Sequence, residues 1–273
     1  MSTRRRLLAA LLLVEFLLAA ALLFTAASPA PSPPAPSQVT AAPAAPPPPD
    51  PVTSMVLPDG RSARLLVLDG AQSSDLPQRL AAELPGAAAA VTAFWGPDWR
   101  RDIEIAVAGS DQQFRVLAGG AADIAATTTT QRIMFAPGAA QMSPAALRIV
   151  LRHELFHYAA RFATAADAPR WLTEGVADYV GRPATAVPAQ AEVPAQLPTD
   201  ADLDTPGAVR SLAYDRAWWF SRYVADAYGV PKLRELYLSA CGPGHPDVAT
   251  AVRETLGADL DVVVTGWRHW LTG

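Results

Sequence analysis

Cysteine is nearly absent: Cys241 is the only one in 273 residues. No intrachain disulfide can form, and no cysteine-based zinc site can be assembled. An oxidising compartment is not thereby excluded, because a body of this size folds without covalent staples. Cys241 itself reads as a small buried hydrophobe near a helix end rather than as a nucleophile. Lysine is as scarce, with Lys232 alone among many arginines, a bias of composition rather than a sign of function. The body also lacks a basic run. Arg4, Arg5 and Arg6 against Glu15 put +2 in the first 28 residues, so a net charge of −4 leaves −6 for the rest. An acidic body of this kind argues against nucleic acid as a partner. No internal repeat is found.

The N-terminus has the one long apolar run, Leu7 to Phe24, behind the three arginines. Positive charge ahead of an apolar stretch keeps that end cytoplasmic. Glu15 costs about 2–3 kcal/mol at the bilayer centre, and the many leucines, at roughly −0.3 to −0.6 kcal/mol each, offset it. The run exceeds the usual signal-peptide core of about 7–15 residues, which favours an uncleaved signal anchor over residues 1–28. Ala26, Ala27 and Ser28 keep a cleavable signal peptide as the alternative. Either way the body is expected outside the cytoplasmic membrane, bound to it or secreted. Residues 29–52 are rich in proline and alanine and contain Pro46-Pro47-Pro48-Pro49. Proline fixes φ and lacks an amide donor, so this stretch reads as an extended spacer. Residues 53–273 are the expected globular domain.

Chemistry is concentrated in His153-Glu154-Leu155-Phe156-His157. On a helix, residues four apart share a face, so both imidazoles point one way. Two neutral imidazoles can hold Zn2+, and the carboxylate of Glu154 can activate its water. Glu174 offers a third ligand from a second helix. Three protein ligands leave the fourth position open, as catalytic rather than structural zinc sites do. A shuffled chain of this composition would show the five-residue pattern roughly once in a thousand. Asp178 lies one helical turn beyond Glu174, where a carboxylate can accept a hydrogen bond from a zinc-bound imidazole and fix its tautomer. The alternative reading has the two histidines facing the core and Glu174 capping a helix or pairing with a cation.

The periodicities predict a hairpin within Val52–Asp69, a helix to about Trp95 and a strand from Arg101 to Ala108. A short helix capped by Asp111 should run to Leu117, with β-branched Ile124–Thr130 and a short strand Arg132–Ala136 behind it. Ser143-Pro144 is a strong helix start, and the helix it opens, to about Phe162, carries the motif. The next helix spans Arg170–Val180, and 183–208 read as a loop. The helices expected last are Ser211–Tyr228, one opened by Pro231, Asp247–Thr255 and Asp259–Leu271. The order, a mixed sheet region followed by helices, predicts an α+β fold with a helical C-terminal lobe. A cleft between the two parts is a natural metal site.

His153, Glu154 and His157, followed by Pro169-Arg-Trp-Leu-Thr-Glu-Gly-Val-Ala-Asp-Tyr179, resemble the gluzincin metallopeptidases, in particular the small peptidase MA-like domains. That resemblance extends over most of 53–273, through the tyrosine-led helix from Tyr214 and the segment Ala251–Leu271. It implies a zincin-like fold: a small mixed β-sheet, an active-site helix and the helical lobe. Arg132–Pro137 would be its substrate-binding edge strand. It also implies hydrolysis of a peptide or protein substrate. Glu154 would be the general base, and a Tyr or His of the helical lobe would steady the developing oxyanion. Tyr214 is the candidate by position, with His245 as the alternative. His269 is assigned to the surface or to packing, and the tryptophans Trp218, Trp219, Trp267 and Trp270, at helical spacings, to the core. The competing function is a catalytically inactive zincin-like domain that binds cell-envelope partners.

Overall fold

The computed structural model describes residues 52–71, 74–119, 124–186 and 195–272. The expected membrane segment and nearly all of the spacer lie outside the described residues. Among those described, no helix is long and apolar enough to cross a membrane.

Five strands make one mixed sheet. The expected hairpin joins β1 (Val52–Val56) to β2 (Ser62–Val67), so β1 takes in Val52, the last residue assigned to the spacer. Gly60 turns it at φ 82°, a value that L side chains rarely adopt. β3 (Asp102–Val107) lies parallel to β2, and β5 (Ile133–Phe135) parallel to β3. β4 (Ala126–Thr128) closes the sheet as an antiparallel neighbour of β5, giving the order β1-β2-β3-β5-β4. The substrate-edge assignment of Arg132–Pro137 is therefore corrected: β5 is internal, and the edge is β4. The burial explains it. Ile133, Met134 and Phe135 are all buried, as an unbroken apolar run covered on both faces must be. The half-exposed Thr127 and Thr128 suit an edge.

Side chains alternate across the sheet with the period of two. Leu65, Ile105 and Ile133 sit in one register row and face the main core. Ala106 and Met134 point the other way, under Phe114 of the short helix α2 (Asp111–Ala118). The main core is roofed by α1 (Leu76–Trp95), which buries Leu76, Leu80, Leu84, Ala88, Val91 and Trp95, and by α3 (Pro144–Ala160) packed against it. Ser143 caps α3 as expected, its Oγ accepting from the Ala146 amide at 3.2 Å. The cap of α2 is Ser110 rather than Asp111: its hydroxyl takes the Gln113 amide at 3.1 Å, and Asp111 is the first helical residue.

The helical lobe comprises α4 (Arg170–Gly181), α5 (Asp200–Asp204), α6 (Ala208–Tyr228), α7 (Val230–Cys241), α8 (Val248–Leu256) and α9 (Leu260–Thr272). α5 breaks the expected loop 183–208. It is set by a capping box, in which Asp202 N donates to Thr199 Oγ1 at 3.2 Å and Thr199 N to Asp202 Oδ2 at 2.9 Å. The expected box has Glu or Gln at the third position, so the aspartate hid the signal. Trp218, Trp219 and Trp267 are buried core, and Phe220 meets Trp267 edge-on at 5.5 Å, while Trp270 is partly buried against that core. Two glycines set how tightly α4 is held. A Cβ on Gly175 would lie 2.4 Å from the Ala217 carbonyl oxygen of α6. One on Gly181 would lie 3.0 Å from the Ile149 carbonyl oxygen of α3. Backbone therefore meets backbone on both sides of the helix that carries Glu174.

Candidate metal centre

His153 and His157 leave one face of α3, and Glu174 reaches the same point from α4. His153 Nε2 lies 3.1 Å from His157 Nε2 and 3.2 Å from Glu174 Oε2, and His157 Nε2 lies 3.6 Å from Glu174 Oε2. A zinc tetrahedron with arms of about 2.0–2.1 Å has edges of about 3.3–3.4 Å, so the three atoms already have the spacing of three of its corners. Two imidazole nitrogens this close need a hydrogen or a cation between them. The three side chains are 14–22% exposed, so solvent and ligands can reach them. Among the described residues this is the one such group of three. The donor set, two imidazoles and a carboxylate, fits zinc.

The orientation of His153 is fixed from behind. Its Nδ1 is 2.9 Å from Asp178 Oδ1, which assigns the proton to Nδ1 and turns the Nε2 lone pair toward the trio. Asp178 is 5% exposed, and its other oxygen is 2.7 Å from Arg182 Nη2. Burial alone would raise the Asp178 pKa, but Arg182 and His153 hold it below the usual carboxylate range. Burial likewise opposes charge on Glu174 and His153. His157 and His153 nonetheless keep Glu174 well below its ordinary value. Asp178 and Glu174 keep His153 well above its own.

Glu154, 8% exposed, lies on the sheet side. Its Oε2 accepts from Thr128 Oγ1 of the edge strand at 2.7 Å, and the same hydroxyl is 2.9 Å from the Glu154 main-chain oxygen. Tyr214, from the first turns of α6, sets its ring 6.4 Å from that of His153. Burial first, then the Glu174 and Asp178 charges, push its pKa up. It is therefore a protonated donor at any physiological pH. The other candidates lie elsewhere. His245 has Nδ1 2.8 Å from the Pro246 oxygen and Nε2 3.6 Å from Asp167. His269 is exposed on α9. Cys241 is buried, its thiol pushed up to about 12 by burial. A groove of about 630 Å3 over β1–β3 is lined by Arg64, Arg100, Glu104, Gln131 and Tyr158 and does not include the trio.

Sequence reasoning missed Thr128, Arg182 and Asp215. Thr128 lay in a stretch read only as β-branched. Arg182 stands one turn past Asp178, between the helix read to Val180 and the loop read from 183.

Sheet, motif helix and helical lobe together make a zincin-like α+β fold. No protein-family model matches the chain, and no curated protein matches it in sequence. Solved structures do resemble it. A two-domain M1 zinc metallopeptidase bound to L-arginine superposes with a TM-score of 0.52 at 17% identity, covering 82% of this chain and 52% of that one. An M1 zinc metallopeptidase from Deinococcus radiodurans gives 0.51 at 18%, with the same coverage. Aminopeptidase A of Legionella pneumophila, in complex with aspartic acid, gives 0.51 at 16%, covering 79% of this chain and 27% of that one. The chain thus spans about half, or about a quarter, of the structures it resembles. At these identities the likeness is one of fold.

Proposed function

We propose that this chain is a zinc metallopeptidase of the gluzincin type, related to the peptidase MA-like domains. The observation that carries the reading is the convergence of His153, His157 and Glu174, from two helices, at tetrahedral spacing beside Glu154. When bound, zinc supplies Lewis acidity toward a carbonyl and lowers the pKa of coordinated water toward about 7. Glu154 takes the proton of the attacking water as oxygen bonds to the scissile carbon. It then delivers that proton to the amine nitrogen as the C–N bond breaks. The Thr128 hydroxyl orients the base by donating to Oε2. Tyr214 donates a hydrogen bond to the oxyanion that develops on the carbonyl oxygen. Asp178 keeps His153 in the tautomer that presents Nε2. A peptide or protein is the substrate.

The sequence of residues 1–28 supports a body tethered outside the cytoplasmic membrane, on a spacer that ends where β1 begins. Residues 53–273, with Val52 as the first residue of β1, then form the metallopeptidase domain. Glu154→Gln tests the reading. It is expected to keep zinc and lose about 10²–10⁴-fold in hydrolysis of a broad peptide library. Equal behaviour of wild type and variant would instead leave the inactive, partner-binding domain.

A further inference from the structure

Behind the trio the ion pairs continue across the lobe. Arg182, just past the end of α4, places Nη2 2.7 Å from Asp178 Oδ2 and Nη1 2.7 Å from Asp215 Oδ1. Its guanidinium also lies over Trp218, 4.8 Å from the ring centroid. The Arg182 amide donates to the Asp178 carbonyl at 2.8 Å, so backbone and side chain hold one pair of residues. The three side chains are 13%, 5% and 18% exposed, in the order Arg182, Asp178, Asp215. Asp215 follows Tyr214 directly on α6. The guanidinium thus ties the carboxylate behind His153 to the helical turn that carries Tyr214. The planar fork suits this: it can meet two carboxylates at fixed directions while stacking on an indole, which an ammonium cannot. Without a cation between them, the two buried carboxylates repel.

We propose that Arg182, anchored by Asp215, is a positioning residue of the metal centre: it fixes the Asp178 carboxylate and, through it, the direction in which His153 presents Nε2. The inference rests on the metal reading above, but not on any peptidase activity. A side chain that merely held two helices together would change melting without changing the ligand field.

The test uses the full chain with cobalt(II) in place of zinc. It compares wild type, Arg182→Lys and Asp215→Asn by visible absorption, by chelator competition and by melting temperature. Arg182→Lys is expected to bind cobalt about 10–100-fold more weakly, with a changed absorption band. Asp215→Asn, which keeps the Arg182–Asp178 contact, is expected to show the same changes in smaller measure. It supplies the answer if the lysine variant does not fold. If both variants match wild type in affinity and spectrum, and differ only in melting, Arg182 is structural and the inference is overturned. If wild type itself takes up no cobalt or zinc, the metal reading fails and carries this inference with it. A wild type that binds metal but cleaves no peptide sinks only the peptidase reading.

Discussion

Among the described residues, two places set a histidine beside an aspartate. At His153 the aspartate is 5% exposed and belongs to a helix packed backbone-to-backbone on its neighbours; a second histidine and a glutamate meet the far side of the ring. At His245 the aspartate, Asp167, is 86% exposed and 3.6 Å away, and the ring's other nitrogen is taken by the Pro246 carbonyl. The loop pair has the residue types without the convergence. An orienting carboxylate works when it is itself immobile, and a metal site needs ligands delivered by elements that cannot drift.

The most drastic way to break this comparison is to remove one ligand on each side. His157→Ala is expected to lose both zinc and peptide hydrolysis, while His245→Ala keeps both, as metal analysis and a peptide assay would read. Retention of metal by His157→Ala would put the site elsewhere. Next in size is the donor from the helical lobe. Tyr214→Phe should lower kcat by about 10²–10³-fold with zinc content unchanged. A variant as fast as wild type would remove Tyr214 from the chemistry.

A smaller effect tests the packing that makes the first region rigid. Gly175→Ala forces a methyl to 2.4 Å from the Ala217 oxygen. It should destabilise the fold by about 1–3 kcal/mol and weaken zinc retention, since Glu174 rides on the same turn; denaturant titration and chelator competition read the two parts.

The mildest effect concerns the metal-free protein. Glu174 is held below its ordinary value, so its contribution to stability is present above about pH 4.5 and fades as pH falls through its folded pKa. His153 is held above its ordinary value, so its contribution is present below about pH 6.5 and fades as pH rises through its folded pKa. The chelator-treated protein should therefore melt highest between roughly pH 4.5 and 6.5. A melting temperature that climbs steadily to pH 9 would contradict the pairing.

The site was more legible than the sheet. A spacing of four on a helix dictates a shared face, so His153 could be paired with His157, and Glu174 with Asp178, from the sequence; that the two pairs meet depends on the packing of α3 against α4. Strand pairing has no such local rule. Arg132–Pro137 was readable as a strand but not as an internal one, because its neighbours are chosen by long-range contacts with β3 and β4. Arg182 was hidden for a similar reason. It stands where a helix stops, and its role appears only when Asp215, 33 residues on, comes to meet it. α5 was lost to an aspartate in a place where a glutamate is the usual sign.

X-ray absorption at the zinc edge of the loaded full-length chain addresses the central claim most directly. The account predicts one zinc with four nitrogen or oxygen neighbours at about 2.0–2.1 Å, the outer-shell pattern of two imidazoles, and no sulfur. A sulfur neighbour at about 2.3 Å, or a spectrum unchanged when His153 and His157 are both replaced, would contradict it.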